Sequence, residues 1–184
     1  MTQATHKQPR RDYRAEVMPG LVLDLSLWPA KAQSSASTID PASLGTPLLQ
    51  DQASRAYSLY LTNLSASGMG LHIHTTKLHS AKINSFTGRN FLIRLELDDA
   101  PDPQPLSLLL LAVARRAQPE RGGAQVAFEF TAKTRYIKSA RALHLFPLRG
   151  RGVDSLASWL GRSTTRPYEP VPSASGSAWY EALA

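Results

Sequence analysis

Cysteine is absent from the 184-residue chain, which excludes a disulfide scaffold, a thiol nucleophile and any Cys-ligated zinc or iron–sulfur site. Long apolar runs are missing too: the longest, Leu108 to Ala114, is seven residues, against the ~20 that a helix needs to cross a bilayer. The opening stretch MTQATHKQPRRDYR is polar and lacks the apolar core of a signal peptide. Neither a GxSxG elbow nor a phosphate-cradling GxxxxGK loop occurs, so nothing points to catalysis and a non-enzyme is expected. Acidic residues are scarce, 14 against 21 lysines and arginines, for a formal charge of +7 and a sequence pI near 10.0. The expectation is a soluble, cytoplasmic, basic protein with an anionic partner. At 42% hydrophobic residues and 20.1 kDa, the chain can bury the core of one ordinary domain.

The charge is concentrated at the ends. Residues 1–14 carry Lys7, Arg10, Arg11 and Arg14 against Asp12, and Lys133 to Arg166 carries eight basic residues against Asp154. The stretch between them is nearly neutral, with nine basic and ten acidic residues, and the last eighteen residues are acidic through Glu169 and Glu181.

The middle of the chain has the period of two expected of half-buried strands. Leu21, Leu23, Leu25 and Leu27 alternate with Val22, Asp24 and Ser26; Tyr57, Leu59 and Leu61 with Ser58, Tyr60 and Thr62; Met69, Leu71 and Ile73 with Gly70, His72 and His74. Phe91 to Leu97 and Val126 to Phe130 repeat the pattern, and Leu106 to Val113 is apolar enough for a strand covered on both faces. Six short strands between Gly-, Pro- and Asp-bearing turns predict a small antiparallel barrel or sandwich. Tyr136, Ile137, Ala140, Leu143 and Phe146 fall on one face at helical spacing, as do Val153, Leu156, Ala157 and Leu160, with Gly161 as a stop. Trp28 to Ala56 reads as a long loop.

Two short patterns carry the functional information. Arg10-Arg11-Asp12-Tyr13-Arg14 contains RxxxR just before the first strand, and Asn63-Leu64-Ser65-Ala66-Ser67-Gly68 fits (D/N)xSxxG in the turn between two strands. Arginine offers a planar fork that grips a phosphate or the O6/N7 edge of guanine with two hydrogen bonds. Asn63 supplies a donor and an acceptor, Ser65 a hydroxyl, and Gly68 a backbone free to turn left-handed or to approach a ligand closely. By itself, NxSxxG is also an ordinary hairpin connection in which Asn and Ser bond their own backbone.

In this order, ahead of further strands, the two patterns resemble the PilZ domain family over about residues 8 to 146. The resemblance implies a mainly β fold, a six-stranded antiparallel PilZ-like β-barrel with a C-terminal helical extension. It also implies a bacterial receptor for the second messenger cyclic di-GMP, with Arg10, Arg11, Arg14, Asn63, Ser65 and Gly68 as ligand-binding residues and no cofactor or metal. On this reading residues 1–14 are a flexible basic arm and 15–146 the barrel, with the loop 28–56 and a C-terminal helix. Residues 147–162 are a second short helix and 163–184 a Ser/Pro-rich tail. Ligand binding would fold the arm across the barrel and signal to a protein partner in motility, adhesion or exopolysaccharide control. The alternatives are a PilZ-fold adaptor that does not use the ligand and a barrel that binds single-stranded nucleic acid. His72, His74 and His79 lack a carboxylate nearby in sequence to complete a metal site and are expected to be surface histidines. Asp98, Asp99 and Asp102 are expected in a solvated turn.

Overall fold

The computed structural model describes residues 14–17, 19–30, 38–52, 59–74, 83, 85–100 and 102–163. Nine strands and one α-helix are found among them: β1 (Val22–Ala30), β2 (Thr38–Ile39), β3 (Leu49–Gln52), β4 (Leu59–Ser65), β5 (Gly68–His74), β6 (Asn90–Leu97), β7 (Leu106–Glu120), β8 (Gly123–Ile137), β9 (Ala142–Pro147) and α1 (Asp154–Ser163). All the ladders are antiparallel. The sheet runs β2-β9-β8-β7-β6-β1-β3, and β5 adds to β8 with β4 beyond it. It forks at β8. One edge of that 15-residue strand pairs with β7 over Gly123–Lys133, while the other is divided between β5, at Gly123–Glu129, and β9, at Ala132–Ile137. The curl brings β3 against β4, with no ladder between them among the described residues.

The alternation read in the sequence is the alternation of faces, although Asp24 and Ser26 of β1 and His72 of β5 are themselves buried on the face away from the main core. Leu25 and Leu27 of β1, Leu71 and Ile73 of β5, Ile93 and Leu95 of β6 and Val126 and Phe128 of β8 point into one core. A strand side chain so buried contributes about 1.5–3 kcal/mol relative to exposure. Strand β7 is covered on both faces: Leu108 and Leu110 enter the main core, while Leu109 packs with Trp28, Leu92 and Leu143 in a second cluster on the other side.

The structure corrects four expectations. The strands number nine among the described residues, not six. Two of the additional ones, β2 and β3, lie in the stretch 28–56 expected to be loop, where β1 also extends to Ala30 and Pro41–Ser43 forms a 3-10 turn capped by Asp40. This excursion covers the second cluster, and Trp28 donates its indole N–H to the Gly45 carbonyl at 3.1 Å. The helix expected from Tyr136 to Phe146 is a β-hairpin: β8 runs to Ile137, the chain turns at Lys138–Arg141 with Arg141 at φ 48°, and β9 returns. The spacing misleads because seven residues are two helical turns and also the separation of the cross-strand pair Tyr136↔Leu143 around this turn. Finally, α1 continues through Gly161 to Ser163, whose hydroxyl donates to the Trp159 carbonyl at 2.6 Å.

Helix α1 closes one end of the core with Leu156, Trp159 and Leu160. The Trp159 indole donates to the Asp98 carbonyl at 2.8 Å, and Arg162 grips both Asp99 oxygens at 2.7 and 2.8 Å. Asp99 of the acidic turn is therefore an anchor for the helix. No helix among the described residues is long and apolar enough to cross a membrane.

Candidate functional site

The NxSxxG pattern forms the end of the β4–β5 hairpin, with Ala66 and Ser67 as the two turn residues between the paired Ser65 and Gly68. In β4 the register shifts between Leu61 and Asn63, a bulge that resets the alternation. Leu59 and Leu61 point inward before it and Leu64 after it, leaving Asn63 and Ser65 on the outer face. The Asn63 side chain lies over Gly70 of β5, where a Cβ would come 2.6 Å from Nδ2, and it donates to the Thr62 hydroxyl at 3.3 Å.

Ser65 is buried, and its hydroxyl donates to the Gly68 carbonyl at 3.1 Å. It thus fixes the shape of the turn. The close approach expected of Gly68 is present, but its object is protein. A Cβ there would run into the Phe128 carbonyl of β8, and the residue's φ is not in the left-handed region. The turn is held from two further sides: Phe130 N–H donates to the Ser67 carbonyl and Val153 N–H to the Ala66 carbonyl, both at 2.8 Å.

The stretch before β1 meets this hairpin. Ala15 and Leu64 exchange both backbone hydrogen bonds at 2.9 Å in an antiparallel bridge. Ala15 and Val17 are buried and Arg14 and Glu16 exposed, so the stretch alternates as a short strand on the edge of β4. Opposed residues of an antiparallel pair face the same side. The register of the bridge therefore sets Arg14 against Ser65 and Glu16 against Asn63, all toward the outer face. One arginine of RxxxR is brought to the NxSxxG turn. Arg10 and Arg11 lie outside the described residues.

The comparisons with known proteins add little to this geometry. No family model matches the sequence, and no curated protein matches it. Among solved structures, the Bacillus subtilis inhibitor of motility (MotI/DgrA) is similar over 88% of this chain and 56% of that one, with 12% identity and a TM-score of 0.47. The present chain therefore spans little more than half the length of that structure. A likeness of that degree carries no weight for function.

Around the two motifs, the outer face is of mixed charge. Glu129 of β8 stands opposite Gly68 and is paired with Arg115 at 2.6 Å, so its negative charge is partly neutralised. Sequence reasoning missed the character of the next rows down the hairpin. His72, expected at the surface, is 8% exposed beneath Tyr60. The available signal was the pairing of Tyr60 with the alternating histidines, readable only once the hairpin register is fixed at its turn.

Proposed function

We propose that this chain is a PilZ-type receptor for cyclic di-GMP that passes ligand occupancy to a protein partner. The observation that supports it is the Ala15–Leu64 bridge, which places Arg14 beside the Ser65–Gly68 turn although 48 positions lie between Ala15 and Leu64. Either motif alone is compatible with an ordinary solvated arm or turn; their meeting on one outer face makes a site. There the Arg14 fork donates to a phosphate or to the O6/N7 edge of a guanine, and Asn63 offers a donor and an acceptor to the same ligand. Glu16 beside Asn63 suits the N–H donors of a guanine. Arg10 belongs to the reading through the sequence pattern alone.

The turn that meets the ligand is the turn that α1 holds through Val153. Ligand gripped between Arg14 and the hairpin changes the load on that contact, and the α1 end of the core becomes the surface a partner reads.

Titration calorimetry tests this reading. The wild type gives saturable heat with cyclic di-GMP. Arg14→Ala weakens the affinity roughly 5- to 150-fold, the equivalent of the ~1–3 kcal/mol that one bidentate arginine–guanine contact is worth. Absence of a saturable signal at high micromolar ligand overturns the receptor reading and leaves an adaptor that does not use this ligand.

A further inference from the structure

Beyond the motifs, the outer face of the hairpin carries an ordered cluster of rings that the fold does not need for its core. Tyr60 of β4 and His72 of β5 are direct cross-strand partners. Their rings stack with centroids 4.9 Å apart at 20°, and His74 meets His72 edge-on at 5.2 Å. His72 is fixed from below: Glu120 lies 3.6 Å from its Nδ1, and Gly123 of β8 lacks the Cβ that would overlap its ring. Tyr60 lies on top and remains 38% exposed. A large aromatic ring held rigid by a stacked neighbour and open to solvent is a surface for another flat ring, since it gives up little conformational freedom on contact.

The cluster is continuous with the candidate site. Moving from the turn along the outer face, the paired rows are Ser65/Gly68, Asn63/Gly70 and Tyr60/His72. In the middle row Gly70 has no side chain of its own, and the Asn63 amide and the Thr62 hydroxyl lie across it. The two ends are about 15 Å apart at ~3.3 Å per residue.

We infer that Tyr60, seated on His72, is the stacking platform for one base of a two-base ligand whose other base is read by Arg14 and Asn63. The inference rests on the cyclic di-GMP reading above and adds to it the subsite for the second guanine. Arginine and asparagine read the edge of a ring, whereas Tyr60 takes its face. The phenol hydroxyl plays no part in such a contact, so the ring alone matters.

Calorimetry with cyclic di-GMP on the wild type, Tyr60→Ala, Tyr60→Phe and Arg14→Ala tests the inference, with thermal unfolding run on each. Tyr60→Ala weakens binding roughly 5- to 100-fold, the range that removal of a base-stacking aromatic produces, while Tyr60→Phe stays within about twofold of wild type because its ring still stacks. A cyclic dinucleotide with 2-aminopurine in place of one guanine shows quenched fluorescence on the wild type and not on Tyr60→Ala. If Tyr60→Ala binds like wild type while Arg14→Ala does not, or if no quench appears, the platform is overturned and the receptor reading stands. If Tyr60→Phe loses as much as Tyr60→Ala, the contact is a hydrogen bond and stacking is overturned. If the wild type does not bind, both fall.

Discussion

Asp24 shows how a single outward residue can oppose the fold that holds it. On β1 it is buried beside Arg94, whose guanidinium reaches its carboxylate at 3.0 Å and Glu96 at 2.5 Å. Burial raises its pKa above the usual carboxylate value. The Arg94 charge pulls the other way and the Glu96 charge adds to the rise, while hydrogen bonds from the Ser26 hydroxyl and the Leu25 backbone pull it down. The folded state therefore binds a proton more tightly than the unfolded chain does at this position, and stability falls as pH rises from the unfolded pKa through the folded one. Asp24→Asn removes that proton linkage while Glu96 still balances Arg94. The melting temperature of the variant should depend less on pH than that of the wild type across the range in which a carboxylate with a raised pKa titrates. It should equal or exceed the wild type at pH 7. A wild-type melting temperature that rises with pH across that range, with the rise abolished in Asp24→Asn, would show the opposite sign. The sequence displayed Asp24 only as the polar member of an alternating strand; the burial that shifts it comes from neighbours on β6, far away in the chain.

Among the elements, the β4–β5 hairpin is the most constrained, and two glycines separate constraint from freedom. At Gly68 a methyl group would meet the Phe128 carbonyl, backbone of the strand at the centre of the fork. Gly68→Ala should cost about 1–3 kcal/mol, the usual range for overpacking, and lower the melting temperature by roughly 2–12 °C. At Gly161, inside α1, nothing lies within 4 Å of the added Cβ, so Gly161→Ala should stabilise by about 0.5–1 kcal/mol. Parallel thermal melts check both, and equal shifts would show that the close contact at Gly68 relaxes freely. The same element shows what was legible beforehand. Strands whose one face enters the core announce themselves by alternation, and each stretch so read contains a strand, with Leu21 in the 3-10 turn before β1 and Tyr57 and Ser58 outside the described residues. Strand β9 did not, because a seven-residue spacing serves two helical turns and one hairpin pair equally well. Strands β2 and β3 are two and four residues long, too short for any period to emerge from Ser- and Ala-rich surroundings. Both motifs were visible as strings, but their adjacency depends on the backbone bridge at Ala15, a residue with no distinguishing chemistry.

At the scale of the molecule, the net charge of +7 divides between the candidate site and the surface beyond it. Arg14 is at the candidate site, yet most of the excess lies further along. Lys133, Arg135, Lys138 and Arg141 lie on the β8–β9 hairpin, and Arg149 and Arg151 follow it; all six are exposed, and none has an ion pair among the described residues. Arg149 and Arg151 belong to the stretch that docks on the motif turn, where a Cβ on Gly152 would stand 2.6 Å from the Ala66 side chain. Charges so placed raise the local concentration of an anion and speed its arrival without touching it once bound. Screening acts over about 10 Å at 0.1 M salt, so the effect is largest in dilute buffer. For the triple variant Lys133→Gln, Arg135→Gln, Arg149→Gln, stopped-flow with a fluorescent cyclic di-GMP analogue should therefore give an association rate several-fold below wild type at about 20 mM salt. At several hundred millimolar the two rates should converge, with an unchanged dissociation rate throughout. A faster dissociation would instead place one of these residues in contact with the ligand. Equal association rates at every ionic strength would mean that this charge faces away from the site and serves a different, acidic, surface.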